Sequence, residues 1–209
     1  MSFAVLICTY GTQDWVELAH ARAEPSARGQ GAEEIICNHD PEGTLASSRN
    51  RAARRARNAD WLCFLDADDE LAPGYLRAMS AAIGRQMVEG IGHYQRILYA
   101  PLVSYLTEPD EAGRVSVGFP HIPNEGRWPA YNECVIGTVV NREVFKEVGG
   151  FRELPSLEDY DLFLRCRIAG ASILHVQDAI YRAYITAGSR NSDQSVYDRI
   201  VADNAEAFR

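Results

Sequence analysis

The sequence predicts an α/β protein with a Rossmann-like three-layer α/β/α architecture and a mostly parallel central sheet. Three short, continuously apolar runs carry that prediction: Phe3 to Cys8, Glu34 to Cys37 and Trp61 to Leu65. Between them lie two polar stretches of helical character, about Gln13 to Arg22 and Thr44 to Asn58. Strand, helix, strand, helix, strand implies parallel pairing. Unbroken hydrophobicity in the strands fits a sheet covered on both faces, and such sheets bind ligands beyond the carboxyl ends of their strands.

The first strand ends at Thr9, Tyr10 and Gly11. The second helix is rich in Ala and Arg, with Pro41 or Thr44 near its start. After the third strand come Asp66, Ala67, Asp68 and Asp69, then a helix from about Pro73 to Met87. Tyr94 to Leu106 reads as one or two strands, and residues 107 to 132, rich in Pro, Gly and charge, as a long surface loop. Order returns with Val135 to Val140 and a helix from about Arg142 to Val148. The turn Gly149-Gly150-Phe151 leads to a helix from Glu158 to Ala169. Strands at Ser172 to Val176 and Ile180 to Tyr184, then a helix from about Asp193 to Phe208, close the chain.

The 209 residues suit one domain, with a boundary between halves near residue 100. Apolar residues make up 46%, enough for a sizeable core, which excludes disordered and fibrous classes. The net charge of −8 excludes a sequence-evident nucleic-acid polymer partner, because such binding draws on neutralised phosphates. Lys146 is the only lysine, which leaves Schiff-base and P-loop chemistry almost nowhere to stand. Five cysteines without CxxC spacing read as buried free thiols of a reducing compartment. The apolar run at the N-terminus is too short for a signal segment, and no stretch approaches the ~18 apolar residues of a membrane helix. The expectation is a soluble cytoplasmic protein, compatible with peripheral association with a membrane.

Chemistry concentrates in three places. Carboxylates at the end of the third strand, Asp66 to Asp69, project together into the ligand crevice. There a divalent cation, Mg²⁺ or Mn²⁺, would neutralise them and carry a diphosphate. Acidic capping of the next helix explains the same residues without a ligand. The second place is Glu158, Asp159 and Asp161 in the first turn of a helix. They favour the helix dipole, and one could serve as a general base, a role that typically supplies about 10² to 10⁴ in rate. The third is Arg49, the earliest arginine of its helix and the nearest to the crevice, able to fork onto a base carbonyl or a diphosphate oxygen.

Assembled in order, these blocks resemble glycosyltransferase family 2 with its GT-A fold. The nucleotide half is similar in Ala4 to Gly11, Glu34 to Asp40, Leu45 to Arg51 and the DxD-bearing Phe64 to Asp69. The acceptor half is similar in Gly137 to Phe145, Val148 to Phe151 and the ED helix Glu158 to Arg165. The resemblance spans roughly residues 3 to 185 and divides one GT-A domain into a nucleotide-sugar half, about 1 to 100, and an acceptor half, about 101 to 209.

The resemblance implies a metal-dependent, inverting hexosyltransferase that moves sugar from a nucleoside diphosphate donor, UDP-sugar favoured, to a hydroxyl acceptor. The acceptor classes it leaves open are glycan, protein, lipid-linked sugar and modified nucleic acid. It implies that Thr9 and Tyr10 flank the nucleoside, that His39 or Asp40 reads the base edge, and that Arg49 supports base or diphosphate. Asp66 would face the ribose beside Ala67, and Asp68 would hold Mn²⁺ or Mg²⁺ with Asp66 at hand. Asp159 would be the general base, with Glu158 the competing candidate. Gly137 belongs to the acceptor wall, and Trp128 and Tyr131 would stack on a sugar ring or anchor their loop.

This chain departs from the family pattern at two positions. His39 stands where an acid usually follows the second strand, and Tyr184 stands where a histidine often helps hold metal or diphosphate. Either metal affinity would be lower, or the diphosphate would be gripped by Arg182 or Arg190 instead. Two other readings remain: a nucleotide-sugar-binding protein of the same fold without turnover, and a haloacid dehalogenase-type phosphatase. The latter needs a downstream lysine, for which Lys146 is the only candidate, and would place its motif on the first strand rather than the third.

Overall fold

The computed structural model describes residues 1–90, 93–107, 129–130, 132, 134–185 and 194–208. The elements run β1 (Phe3–Tyr10), α1 (Asp14–Ala21), α2 (Ala23–Arg28), β2 (Glu34–Asp40), α3 (Leu45–Arg55), β3 (Trp61–Leu65) and β4 (Glu70–Leu71). They continue through α4 (Tyr75–Val88), β5 (Ile97–Thr107), β6 (Val139–Asn141), α5 (Arg142–Glu147), α6 (Glu158–Ile168), β7 (Ser172–Ile185) and α7 (Gln194–Asp203).

Seven strands form one sheet in the order β2-β1-β3-β6-β5-β7-β4. β1 pairs in parallel with both β2 and β3, as the three apolar runs require. β6 then enters antiparallel between β3 and β5, and β5 and β7 pair in parallel, so the sheet is mixed beyond β3. β1 and β3 are interior strands and are buried almost throughout, which accounts for their continuous hydrophobicity. β2 is an edge strand with alternating exposure. Its outer face corrects one expectation: Cys37 is exposed, while Cys8, Cys63, Cys134 and Cys166 are buried free thiols.

The two runs near the C-terminus are one strand. The register jumps from Pro101 opposite Val176 to Leu102 opposite Ile180, so residues 177 to 179 bulge out and the strand resumes. Its second half pairs with β4, directly behind the Asp66–Asp69 turn. The start of α3 is Thr44, in a reciprocal capping box. Thr44 Oγ1 accepts from the Ser47 N–H and Ser47 Oγ accepts from the Thr44 N–H, both at 3.0 Å. α7 covers α6: Val196 and Ile200 pack on Tyr160 and Leu164, and the Tyr197 ring stacks on Tyr160 at 5.8 Å. Among the described residues no helix is long and apolar enough to cross a membrane.

Candidate active site

A cleft of about 470 Å³ opens at the carboxyl ends of β1 and β3. Thr9 and Tyr10 line it from β1; Asp66, Ala67, Asp68 and Asp69 from the turn after β3; Glu158 and Asp159 from the start of α6; Tyr184 from β7. The two acidic blocks, some ninety positions apart in the chain, therefore face one pocket.

Between them lies Arg49. Its side chain, 2% exposed, donates from Nη2 to Asp66 Oδ1 at 2.5 Å and from Nη1 to Glu158 Oε1 at 2.6 Å. Burial opposes its charge, but Asp66 and Glu158 outweigh burial and raise the guanidinium above its ordinary value. Repulsion between the acidic blocks is thus met at this junction by Arg49, the residue that the family resemblance places at the base or diphosphate. The next residue joins the halves as well. Asn50 donates to the Phe151 carbonyl at 2.8 Å and accepts from the Phe151 N–H at 2.9 Å. Phe151 then sets its ring edge-on to Phe64 at 4.9 Å.

The acidic turn divides its labour. The Asp69 N–H donates to the Asp66 carbonyl at 3.2 Å and closes the turn. Asp69 itself is buried and accepts from the Tyr181 hydroxyl at 2.7 Å and the Tyr184 N–H at 2.9 Å, so it fastens the turn to β7. Burial, reinforced by Asp66 and Asp68, raises its carboxyl well above the usual range. Asp66 and Asp68 remain partly exposed to the cleft. Arg22, just before α2, donates to the Asp68 carbonyl at 2.8 Å and covers the Tyr184 ring at 4.0 Å.

The ED helix is similarly divided. Asp161 and Arg165 pair at 2.7 Å inside the protein, and Arg165 also donates to the carbonyls of Val148 and Gly150, at 2.5 and 2.7 Å. That anchors α6 to the Gly149-Gly150-Phe151 turn and leaves Glu158 and Asp159 at the cleft. Leu157, the residue before them, has φ +58, the one positive value among the described non-glycine residues. Burial first, and then the neighbouring Glu158, push the Asp159 carboxyl up to about 6, against the pull of Arg49 and the Tyr160 N–H. A carboxyl poised near neutrality can take a proton and return it. Burial pushes the Cys8 thiol up to about 12, so it stays protonated and is no nucleophile.

Several expected site residues are placed elsewhere. His39 Nδ1 lies 3.0 Å from Thr9 Oγ1, and Asp40 accepts from Ser47 Oγ at 2.6 Å and Arg51 at 3.1 Å; neither lines the cleft. Arg182 pairs with Glu70 at 3.3 Å across β4 and β7, away from the cleft lining. Gly137 lies beneath it: φ is +105, a Cβ there would sit 2.4 Å from the Tyr181 ring, and its carbonyl accepts from the Tyr75 hydroxyl at 2.6 Å. Trp128, Tyr131 and Arg190 lie outside the described residues.

Sequence reasoning missed Trp15, 41% exposed and lining the cleft from the first turn of α1. It also missed Tyr105 and Ser156; the buried Ser156 hydroxyl has no hydrogen-bond partner among the described residues. An aromatic in the first turn of the helix after Tyr10-Gly11 was the available signal for Trp15.

The donor chemistry for a divalent cation is oxygen from one or two carboxylates, completed by phosphate. Asp68 and Asp66 fit that set at the cleft wall. Among the described residues no group of three or more His, Cys, Asp or Glu side chains forms a self-sufficient metal cage.

Comparison with known proteins agrees with this architecture. The structure is similar to GalNAc-T7, solved with UDP, GalNAc and Mn²⁺, at a TM-score of 0.58 and 16% identity, over 97% of this chain and 48% of that one. It is similar to residues 1–349 of S. aureus TarS in complex with UDP-GlcNAc, at a TM-score of 0.66 and 16% identity, over 99% of this chain and 66% of that one. The chain thus spans about half of the first and two thirds of the second. No curated protein matches the sequence. The family model described as "Glycosyltransferase like family 2" matches residues 1–199. The chain therefore belongs to glycosyltransferase family 2, and its fold is the GT-A fold of a glycosyltransferase domain.

Proposed function

We propose that this chain transfers a hexose from a nucleoside diphosphate sugar, a UDP-sugar by preference, to a hydroxyl acceptor with inversion at the anomeric carbon. One observation carries the reading: a carboxyl poised at about 6, Asp159, shares a cleft with the carboxylates of the Asp66–Asp68 turn. Thr9 and Tyr10 form the nucleoside wall. Asp68, with Asp66 beside it, would hold Mn²⁺ or Mg²⁺, which when bound neutralises the diphosphate as negative charge builds on it. Asp159 takes the proton of the acceptor hydroxyl as its oxygen bonds to the anomeric carbon. The bond from that carbon to the phosphate oxygen breaks, and its electron pair leaves with the nucleoside diphosphate. Glu158 is tied to Arg49, which leaves Asp159 the better placed of the two acids to move a proton.

A thermal-shift panel of nucleoside diphosphates and their sugars, with and without Mn²⁺, identifies the donor, since a ligand of the native state raises the melting temperature by mass action. Asp68→Ala is expected to lose the Mn²⁺-dependent part of that shift. Asp159→Asn is expected to keep it and lose transfer. Wild-type turnover in both variants refutes the site assignment. Donor binding without turnover in the wild type, with any hydroxyl acceptor, identifies a binding protein of the same fold.

A further inference from the structure

We infer that Asn132 is a positioning residue for Asp159: from the segment between β5 and β6 it donates its side-chain amide to Asp159 Oδ2 at 3.0 Å, holding the carboxyl against rotation in the cleft. The inference rests on the reading of Asp159 as the base.

The geometry is closed on both sides. Asp159 Oδ1 accepts from the Tyr160 N–H at 2.7 Å, one of the first-turn amides that has no acceptor within the helix. Oδ2 is held from a different part of the chain. Asn132 Oδ1 accepts from the N–H of buried Cys134 at 3.3 Å, which fixes which end of the amide is oxygen and turns the NH₂ towards Asp159. A second contact to α6 lies three residues before Asn132, where the Tyr160 hydroxyl donates to the Pro129 carbonyl. With one donor on each oxygen the carboxyl plane is set, and each oxygen keeps a lone pair for an incoming proton.

A neutral amide also suits the electrostatics. The charged and titratable groups that act on Asp159 are Glu158 on α6, Arg49 on α3 and Asp66 after β3; Tyr105 on β5 and Cys134 before β6 also feel its charge. A further cation would drive the carboxyl towards its ordinary acidic range and weaken it as a base. An amide favours the carboxylate more gently and, having no titration of its own, does not compete for the proton.

The test is a carbon-detected NMR titration of the Asp159 carboxyl, assigned by its loss in Asp159→Asn, in the wild type, Asn132→Leu and Asn132→Asp. Removal of a donor to a charged group is expected to move the midpoint up by about one pH unit in Asn132→Leu. Asn132→Asp keeps the side-chain shape, so it carries the test if the leucine variant fails to fold. Its carboxylate should move the midpoint further. Wild-type midpoints in the folded variants overturn the inference, whatever the role of Asp159. Release of UDP from UDP-GlcNAc with water as acceptor separates the two readings. If Asp159→Asn releases UDP at the wild-type rate while the midpoints move as expected, the base assignment falls and the hold of Asn132 on the carboxyl stands.

Discussion

Arg49→Met removes a buried guanidinium that spans two carboxylates while keeping most of the side-chain volume. Arg49 is 2% exposed, and its partners Asp66 and Glu158 are 32% and 15% exposed. Removing one partner of a buried ion pair typically costs about 3–5 kcal/mol, because the other charge is left uncompensated. Here Asp66 has enough access to water to regain part of its solvation, which places the expected loss near the lower end, about 3 kcal/mol. For a domain of this length that corresponds to a fall in Tm of roughly 6–12 °C. Arg49→Lys should recover part of it, since an ammonium cannot fork to both acids. The assay is thermal unfolding of the three proteins at pH 7. A methionine variant that melts within about 2 °C of wild type would refute the claim that this bridge holds the two acidic blocks together.

Other expectations concern single contacts. Asn50→Ala strips the Phe151 backbone of both its partners and should cost about 2–4 kcal/mol in urea unfolding. Gly137→Ala drives a Cβ into the Tyr181 ring at a φ of +105, so a loss of about 2–4 kcal/mol, or insoluble expression, is expected. Asp159 titrates near 6 in the folded protein against an ordinary 3.8. Its contribution to stability is therefore full below about pH 4 and lost as the pH rises through 6. Asp159→Asn should accordingly be more stable than wild type at pH 7, by about 1–2 kcal/mol, with the gap closing at pH 4 in urea titrations. With Asp159 as the proposed base, transfer by the wild type should rise with pH through about 6, as that carboxyl loses its proton.

Much of this site is legible in the chain because strand ends and helix starts leave local marks. Asp66 to Asp69 follow an apolar run, Glu158 and Asp159 open a helix, and both reach the cleft. What was not legible depends on partners far away in the chain. Arg49 shows its proximity to the crevice in its helix position, but not that Glu158, 109 residues on, would claim it. Asp69 looks equivalent to Asp66 and Asp68 until Tyr181 and Tyr184 take it. Asn132 is a neutral residue in a polar stretch and carries no pattern at all. One local error has a local cause. Gln177 and Asp178 read as the end of a strand and belong to a bulge within it.

The two adjacent residues on α3 bear on how the chain is made. Arg49 and Asn50 leave the ribosome more than a hundred residues before Glu158 and Phe151, their partners. Until those partners arrive, α3 carries a cation and an amide that have no complete place to bond. Contacts of such sequence separation close late, because the loop entropy must be overcome first. The nascent first half can pair β1, β2 and β3, but the cleft is completed only when the ED helix docks. The two acidic blocks should therefore reach their final arrangement in one step of synthesis, when Glu158 arrives to share Arg49 with Asp66.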